Sequence, residues 1–194
     1  MALVGHQKRH LAQAPLHCLF ASDAFEQICL LRFEMKRFAS ILPFLFLLAA
    51  SADAAPVVFV VRHAEKTTGG GNDPELSPAG HKRADALARI LQDSQIAAIF
   101  VTEFKRTQET AAPIAKETHI TPTIVASTDI AGLASKLRAL NANALVVGHG
   151  NTIPELMKAL GIAIPVNIPD SDYTEIFVVP LSDPPQLLRL HYPL

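Results

Sequence analysis

Three short apolar runs each end abruptly in a cluster of polar residues, and this pattern narrows the folds open to the chain. Val57 to Val61 runs into Arg62-His63-Ala64-Glu65-Lys66, Ile96 to Val101 into Thr102-Glu103-Phe104-Lys105-Arg106-Thr107, and Leu145 to Gly148 into His149-Gly150-Asn151-Thr152. Continuous apolar runs without polar alternation read as strands buried on both faces, as in a parallel sheet. Amphipathic helices fall between them. Ser77 suits an N-cap with Pro78 at the first helical position, and Ala84, Leu87, Ala88 and Leu91 recur at helical spacing. A second helix is expected from near Lys105 to about Thr118, kinked at Pro113. A short strand follows around Thr123 to Ala126, and Ile130, Leu133, Ala134 and Leu137 mark a third helix. Thr152 and Glu155 form a capping-box pattern ahead of a helix over Leu156 to Leu160. Ile176 to Val179 and Leu187 to Leu190 read as a hairpin joined through Ser182-Asp183-Pro184-Pro185. Strands alternating with helices predict an α/β fold, a three-layer sandwich with a mainly parallel central sheet and helices on both faces. Ligands of such sheets bind at the carboxyl ends of the strands, where the three polar clusters fall.

The N-terminal third reads differently. Lys36 and Arg37 follow Met35, Ile41 to Ala50 is an apolar run, and Ala52-Asp53-Ala54 fits a small-x-small cleavage site. That is the pattern of a secretory signal peptide over 35–54. The run is about half the roughly 20 residues that span a bilayer and contains Pro43, so no membrane span is expected to persist after cleavage. A buried core helix is the other reading of this run. Residues 1–34 then read as an upstream extension, with the start misassigned ahead of Met35; they hold both cysteines, Cys18 and Cys29. The mature domain, 55–194, has no cysteine, which suits an exported, periplasmic location. Its 12 Lys/Arg against 14 Asp/Glu leave no basic surplus for a nucleic-acid partner.

The strand ends carry the chemistry. A lone histidine or arginine there is usually a satisfied or solvated residue, and Lys66, Lys105, His81, His119 and His191 keep that reading. Arg62, His63, Arg106 and His149 differ because three separate strand ends bring them to one edge of the sheet, with glycines on both sides of His149. Two guanidinium forks suit the oxygens of a phosphoryl group. A neutral imidazole nitrogen can attack phosphorus, and nearby arginines disfavour the imidazolium.

Arg62-His63-Ala64-Glu65 resembles the R-H-G-E signature of the histidine phosphatase superfamily, the phosphoglycerate-mutase-like fold, with Ala64 where many members have glycine. TEFKRTQETAAPIA (residues 102–115) resembles that family's second arginine segment and GHGNTIPEL (148–156) its second histidine segment, in family order. The resemblance implies a phosphomonoester hydrolase in which His63 is the phosphorylated nucleophile, while Arg62, Arg106 and His149 form the phosphate pocket. It implies a small phosphorylated substrate and no metal or organic cofactor. It also implies an acid for the leaving group between the second arginine and second histidine motifs. Asp129 is that candidate general acid, a position that equally suits a helix N-cap, and Glu65 is its rival unless it orients an arginine or Lys66. Asn151 and Thr152 are expected to cap the following helix. Leaving-group specificity falls to the loops at Gly69–Gly71 and Asp170–Tyr173. Two other readings stand beside the enzyme: a non-catalytic phosphate-binding domain, and a metal-dependent hydrolase using His63, Glu65 and His149.

Overall fold

The computed structural model describes residues 55–193. The extension at 1–34, the signal peptide at 35–54, Cys18 and Cys29 lie outside the described residues. The elements run β1 (Val57–Arg62), α1 (Pro78–Leu91), β2 (Ile96–Val101), α2 (Lys105–Thr118), β3 (Thr123–Ile124), α3 (Ile130–Arg138), β4 (Asn143–Gly148), α4 (Thr152–Ala159), β5 (Glu175–Pro180) and β6 (Leu188–His191). They form a six-stranded sheet in the order β3-β2-β4-β1-β5-β6. The strands β3, β2, β4 and β1 pair in parallel, and β5 and β6 add an antiparallel hairpin beside β1. No helix among the described residues is long and apolar enough to cross a membrane.

The sheet has a core on each face because its central strands are apolar along Val57–Val61 and Ala144–Val147, with Arg62 and Asn143 only at their ends. Val58, Val60, Val146 and Phe177 pack with Leu133, Leu137, Leu156 and Met157 of α3 and α4. Val61, Ile99, Val101 and Val147 pack with Leu87, Leu91, Ala111 and Ile114 of α1 and α2 on the other face. Each fully buried aliphatic side chain contributes about 1.5–3 kcal/mol relative to exposure, so a central strand that feeds both cores has little freedom to shift register.

Local chemistry sets the helix starts. Ser77 Oγ accepts the Gly80 amide, with Pro78 at the first position. Gly80 is required by packing: a Cβ there would collide with the Glu65 carbonyl, so the first turn of α1 lies directly on the chain leaving β1. Pro113 sits inside α2 without dividing it. The expected capping box ahead of α4 does not form. The helix begins at Thr152 itself, Asn151 makes no side-chain cap, and the Thr152 hydroxyl turns back to the strand end, accepting the His149 amide at 2.9 Å. The strand passes so directly into the helix that His149, rather than a helical amide, is the donor within reach.

Candidate active site

Pairing register brings the two histidines together. Arg62 lies opposite Gly148 in the β1–β4 ladder, and the His63 amide donates to the Gly148 carbonyl at 2.9 Å. His63 and His149 therefore leave adjacent parallel strands side by side, with ring centroids 5.4 Å apart. Val101 pairs with Val147 on the far side of β4, so the segment after β2 delivers Arg106 at the start of α2 to the same edge. An open cleft of about 530 Å³ lies here, and Arg62, His63, Arg106, His149 and Asn151 are among its lining residues.

His63 is 4% exposed. Its Nδ1 lies 2.8 Å from the Ala64 carbonyl. A carbonyl only accepts, so Nδ1 carries the proton and Nε2 keeps its lone pair. The Ala64 amide in turn donates to the Thr110 hydroxyl at 3.0 Å, which tethers the residue whose carbonyl orients the ring. Burial draws the His63 pKa down to about 3; the Ala64 carbonyl opposes the shift, and His149, Arg106 and Arg62 reinforce it.

His149 is arranged the other way. Its Nδ1 faces the Arg106 guanidinium at 3.4 Å, where a donor must meet a lone pair, so the ring proton sits on Nε2 and is given to the Thr102 hydroxyl at 2.9 Å. Thr102 passes this on to Thr107, whose hydroxyl ends on the Phe104 carbonyl at 2.8 Å. The Phe104 ring meets His149 edge-on at 5.3 Å and carries the Arg106 guanidinium over its face at 4.3 Å. Burial, then Arg106, draws the His149 pKa down to about 4.

The two arginines are held unequally. Arg62 donates through one terminal nitrogen to the carbonyls of Pro169, Asp170 and Asp172 at 2.9, 2.9 and 3.2 Å, and stacks on Tyr173 at 4.5 Å. Arg106, besides its place over Phe104, makes among the described residues only the long contact to His149 and an ion pair with Asp73 at 3.9 Å. The Nε of each is buried without a hydrogen-bond partner. A buried unpaired donor costs about 1–3 kcal/mol, a cost that an anion seated between the guanidinium groups would remove.

Neither candidate acid lines the cleft. Asp129 caps α3, its carboxylate accepting the Gly132 amide at 2.9 Å. Glu65 is gripped by Arg83 of α1 through three hydrogen bonds of 2.7–2.9 Å, the arginine-orienting alternative. It is thereby turned away from the metal-dependent reading that needed it beside His63 and His149. Asn151 and Thr152, expected as caps alone, do line the cleft. Gly148 serves packing, since a Cβ there would press on Thr152 and Ile153 of α4 at 3.1–3.2 Å. Of the two expected specificity loops, the turn at Asp170–Tyr173 borders the site and holds Arg62, whereas Gly69–Gly71 do not line it. Thr102, Thr110 and Phe104 went unassigned in the sequence, and Tyr173 was expected only as part of a specificity loop. Thr102 and Phe104 stand close to the motif residues they support, which was the available signal; the contact of Tyr173 with Arg62, across more than a hundred residues, had none.

Residues 58–128 match the model of the histidine phosphatase superfamily (branch 1). No curated protein matches the sequence significantly. Among solved structures, the chain is similar to the protein histidine phosphatase SixA complexed with tungstate, at 19% identity and TM-score 0.60 over 70% of this chain and 96% of that one. It is similar to an Agrobacterium tumefaciens protein assigned as a phosphohistidine phosphatase SixA, at 20% identity and TM-score 0.56 over 70% and 98%. A mycobacterial glucosyl-3-phosphoglycerate phosphatase in complex with inorganic phosphate shares 18% identity and TM-score 0.53 over 64% and 89%. At these identities the structural likeness is one of fold. The matched segment carries Arg62, His63 and Arg106 on the elements described above, so residues 58–128 match the histidine phosphatase superfamily and the fold of the described residues agrees with that match.

Proposed function

We propose that the domain is an exported, metal-independent phosphomonoesterase that works through a phosphohistidine on His63. The observation that carries this reading is the wiring of His63, whose Nδ1 proton is committed to the Ala64 carbonyl beside two guanidinium groups with free donors. In the first step Nε2 attacks phosphorus, the N–P bond forms and the bond to the leaving oxygen breaks, with Arg62, Arg106 and His149 stabilising the charge on the phosphoryl oxygens. The imidazolium created on His63 is stabilised by the same Ala64 carbonyl. Water then attacks phosphorus, breaks the N–P bond and releases inorganic phosphate with neutral His63 restored.

An aryl phosphate is the substrate for the first test because its leaving group departs without a proton, and both candidate acids are engaged elsewhere in the fold. Turnover that survives EDTA and falls by about 10³-fold or more in His63→Ala is the expected result. Turnover abolished by EDTA would return the reading to a metal-dependent hydrolase, and phosphate binding without turnover would make the domain a binding module. We further propose that 35–54 directs export to the periplasm. N-terminal sequencing of the processed protein should begin at Ala55.

A further inference from the structure

The hairpin edge of the sheet carries a second cluster of titratable groups, outside the cleft. Glu175 and His191 are direct cross-strand partners in the β5–β6 ladder, so their side chains share one face. Asp172 reaches the same point from the turn before β5, and one donor atom from each of the three lies within 4.8 Å of the others. Glu175 is the telling member. Its side chain is 9% exposed, yet its Oε2 is buried without any hydrogen-bond partner, and its nearest charge is Arg189, 3.9 Å from the other oxygen. A buried carboxylate oxygen left unpaired is costly unless it has something to bind. Asp172 spends only Oδ1, on the Thr174 amide and hydroxyl, both at 2.8 Å. His191 is exposed, which leaves the cluster open to solvent.

We propose that Asp172, Glu175 and His191 bind one divalent cation of the zinc type, and that the ion secures the turn that holds Arg62. Two carboxylates and an imidazole are a ligand set zinc accepts, with water at the fourth position. Zinc–ligand bonds of about 2.0–2.2 Å bring ligand atoms to about 3.4 Å apart, so closing from within 4.8 Å takes side-chain adjustment and no rebuilding of the strands. Burial and the nearby Asp172 push the Glu175 carboxyl above its ordinary pKa, a strain that a cation would relieve. Arg189 faces Oε1 at 3.9 Å and is the charge that opposes the ion, while Oε2 makes no hydrogen bond among the described residues. The coupling to the cleft is one residue long. Asp172 offers its side chain to the ion and its backbone carbonyl to Arg62 at 3.2 Å, and Tyr173, next in the chain, stacks on the same guanidinium.

The test does not depend on any enzymatic activity. The full chain is freed of metal with a chelator and titrated with zinc at neutral pH by calorimetry, beside Glu175→Gln, His191→Ala and, as a control for surface imidazoles, His81→Ala. One site per chain is expected, weakened at least tenfold in Glu175→Gln and in His191→Ala and unchanged in His81→Ala. His191 is exposed, so that variant keeps the fold even where Glu175→Gln disturbs it, and metal-free melting of each variant separates unfolding from ligand loss. Zinc should also slow amide hydrogen exchange over residues 169–174 in the parent chain and not in the variants. No saturable binding, or binding that both variants retain, overturns the site. Binding with unchanged exchange over 169–174 overturns its link to Arg62.

Discussion

His63 and His149 occupy equivalent places at the ends of two adjacent parallel strands, both nearly buried and both driven toward the neutral form, yet they are wired in opposite senses. His63 commits Nδ1 to a backbone carbonyl, a partner that cannot rotate or return a proton. His149 commits Nε2 to a chain of threonine hydroxyls, each able to turn, and shows Nδ1 to an arginine. A rigid acceptor behind one ring suits a nucleophile, whose lone pair must be aimed. A rotatable chain behind the other suits a ring that takes up a proton as charge builds on phosphate. Identity of residue type therefore says less about role than the second nitrogen's partner does.

The comparison can be broken most directly by trapping the phosphoenzyme. His149→Ala should reduce turnover by about 10²–10³-fold, the range for losing one charge-stabilising donor, while label trapped by an alkaline detergent quench, which preserves the acid-labile N–P bond, still accumulates on His63. His63→Ala should give no protein-bound label at all. Label on His149 in the His63→Ala variant would show that the rings are interchangeable and that the wiring is incidental.

Next in size is the support behind His149. Thr102→Val removes the acceptor of the Nε2 proton and leaves that buried donor unpaired, at a cost of about 1–3 kcal/mol. A loss of about tenfold in kcat with little change in KM is expected, and Thr102→Ser, which restores the hydroxyl, should recover it. Lowering pH sharpens the same contrast through stability. Both histidines have folded-state pKa values below the unfolded value of about 6.5, so the unfolded chain takes up protons first and stability falls as pH drops below that point. The loss continues to about pH 3 for His63 and to about 4 for His149. For each histidine the slope is at most about 1.36 kcal/mol per pH unit, and the loss ends at a higher pH for His149 because its pKa is lowered less. Urea unfolding between pH 7 and 5 should show a shallower decline in His63→Ala than in the parent chain.

The sequence made the four central residues legible because each sits beside an apolar run whose end can be located, and parallel strands put their carboxyl ends on one edge. The helices were legible from Ser77, Pro78 and the spacing of Ala84 through Leu91 for the same local reason. What stayed hidden depends on contacts distant in sequence. Arg83 occupies a buried position in α1 because Glu65 waits eighteen residues upstream, and Tyr173 meets Arg62 only after the chain has crossed the sheet. His191 read as a solvated residue and is exposed, but its closeness to Asp172 and Glu175 was hidden because they lie on another strand and its preceding turn. Thr152 was misplaced by a rule about helix caps, since its nearest unsatisfied donor belonged to the preceding strand end.

The smallest expected effect concerns Asp129, and it tests whether a residue that caps α3 and does not line the cleft takes part. Its carboxylate accepts the Gly132 amide at the start of α3, and asparagine caps a helix about as well as aspartate. Asp129→Asn therefore removes the acid while keeping the cap, which Asp129→Ala would not. For an aryl phosphate, whose leaving group needs no proton, turnover should change by less than about twofold. An alkyl phosphate needs a proton on its leaving oxygen, and general acid catalysis is worth about 10²–10⁴-fold there. If turnover of the alkyl ester falls in that range while the aryl ester is untouched, Asp129 must leave its cap during catalysis, and the loop from Ser127 to Asp129 becomes a moving part. If both substrates are untouched, Asp129 is a cap alone, and the two histidines with their arginines carry the chemistry without it.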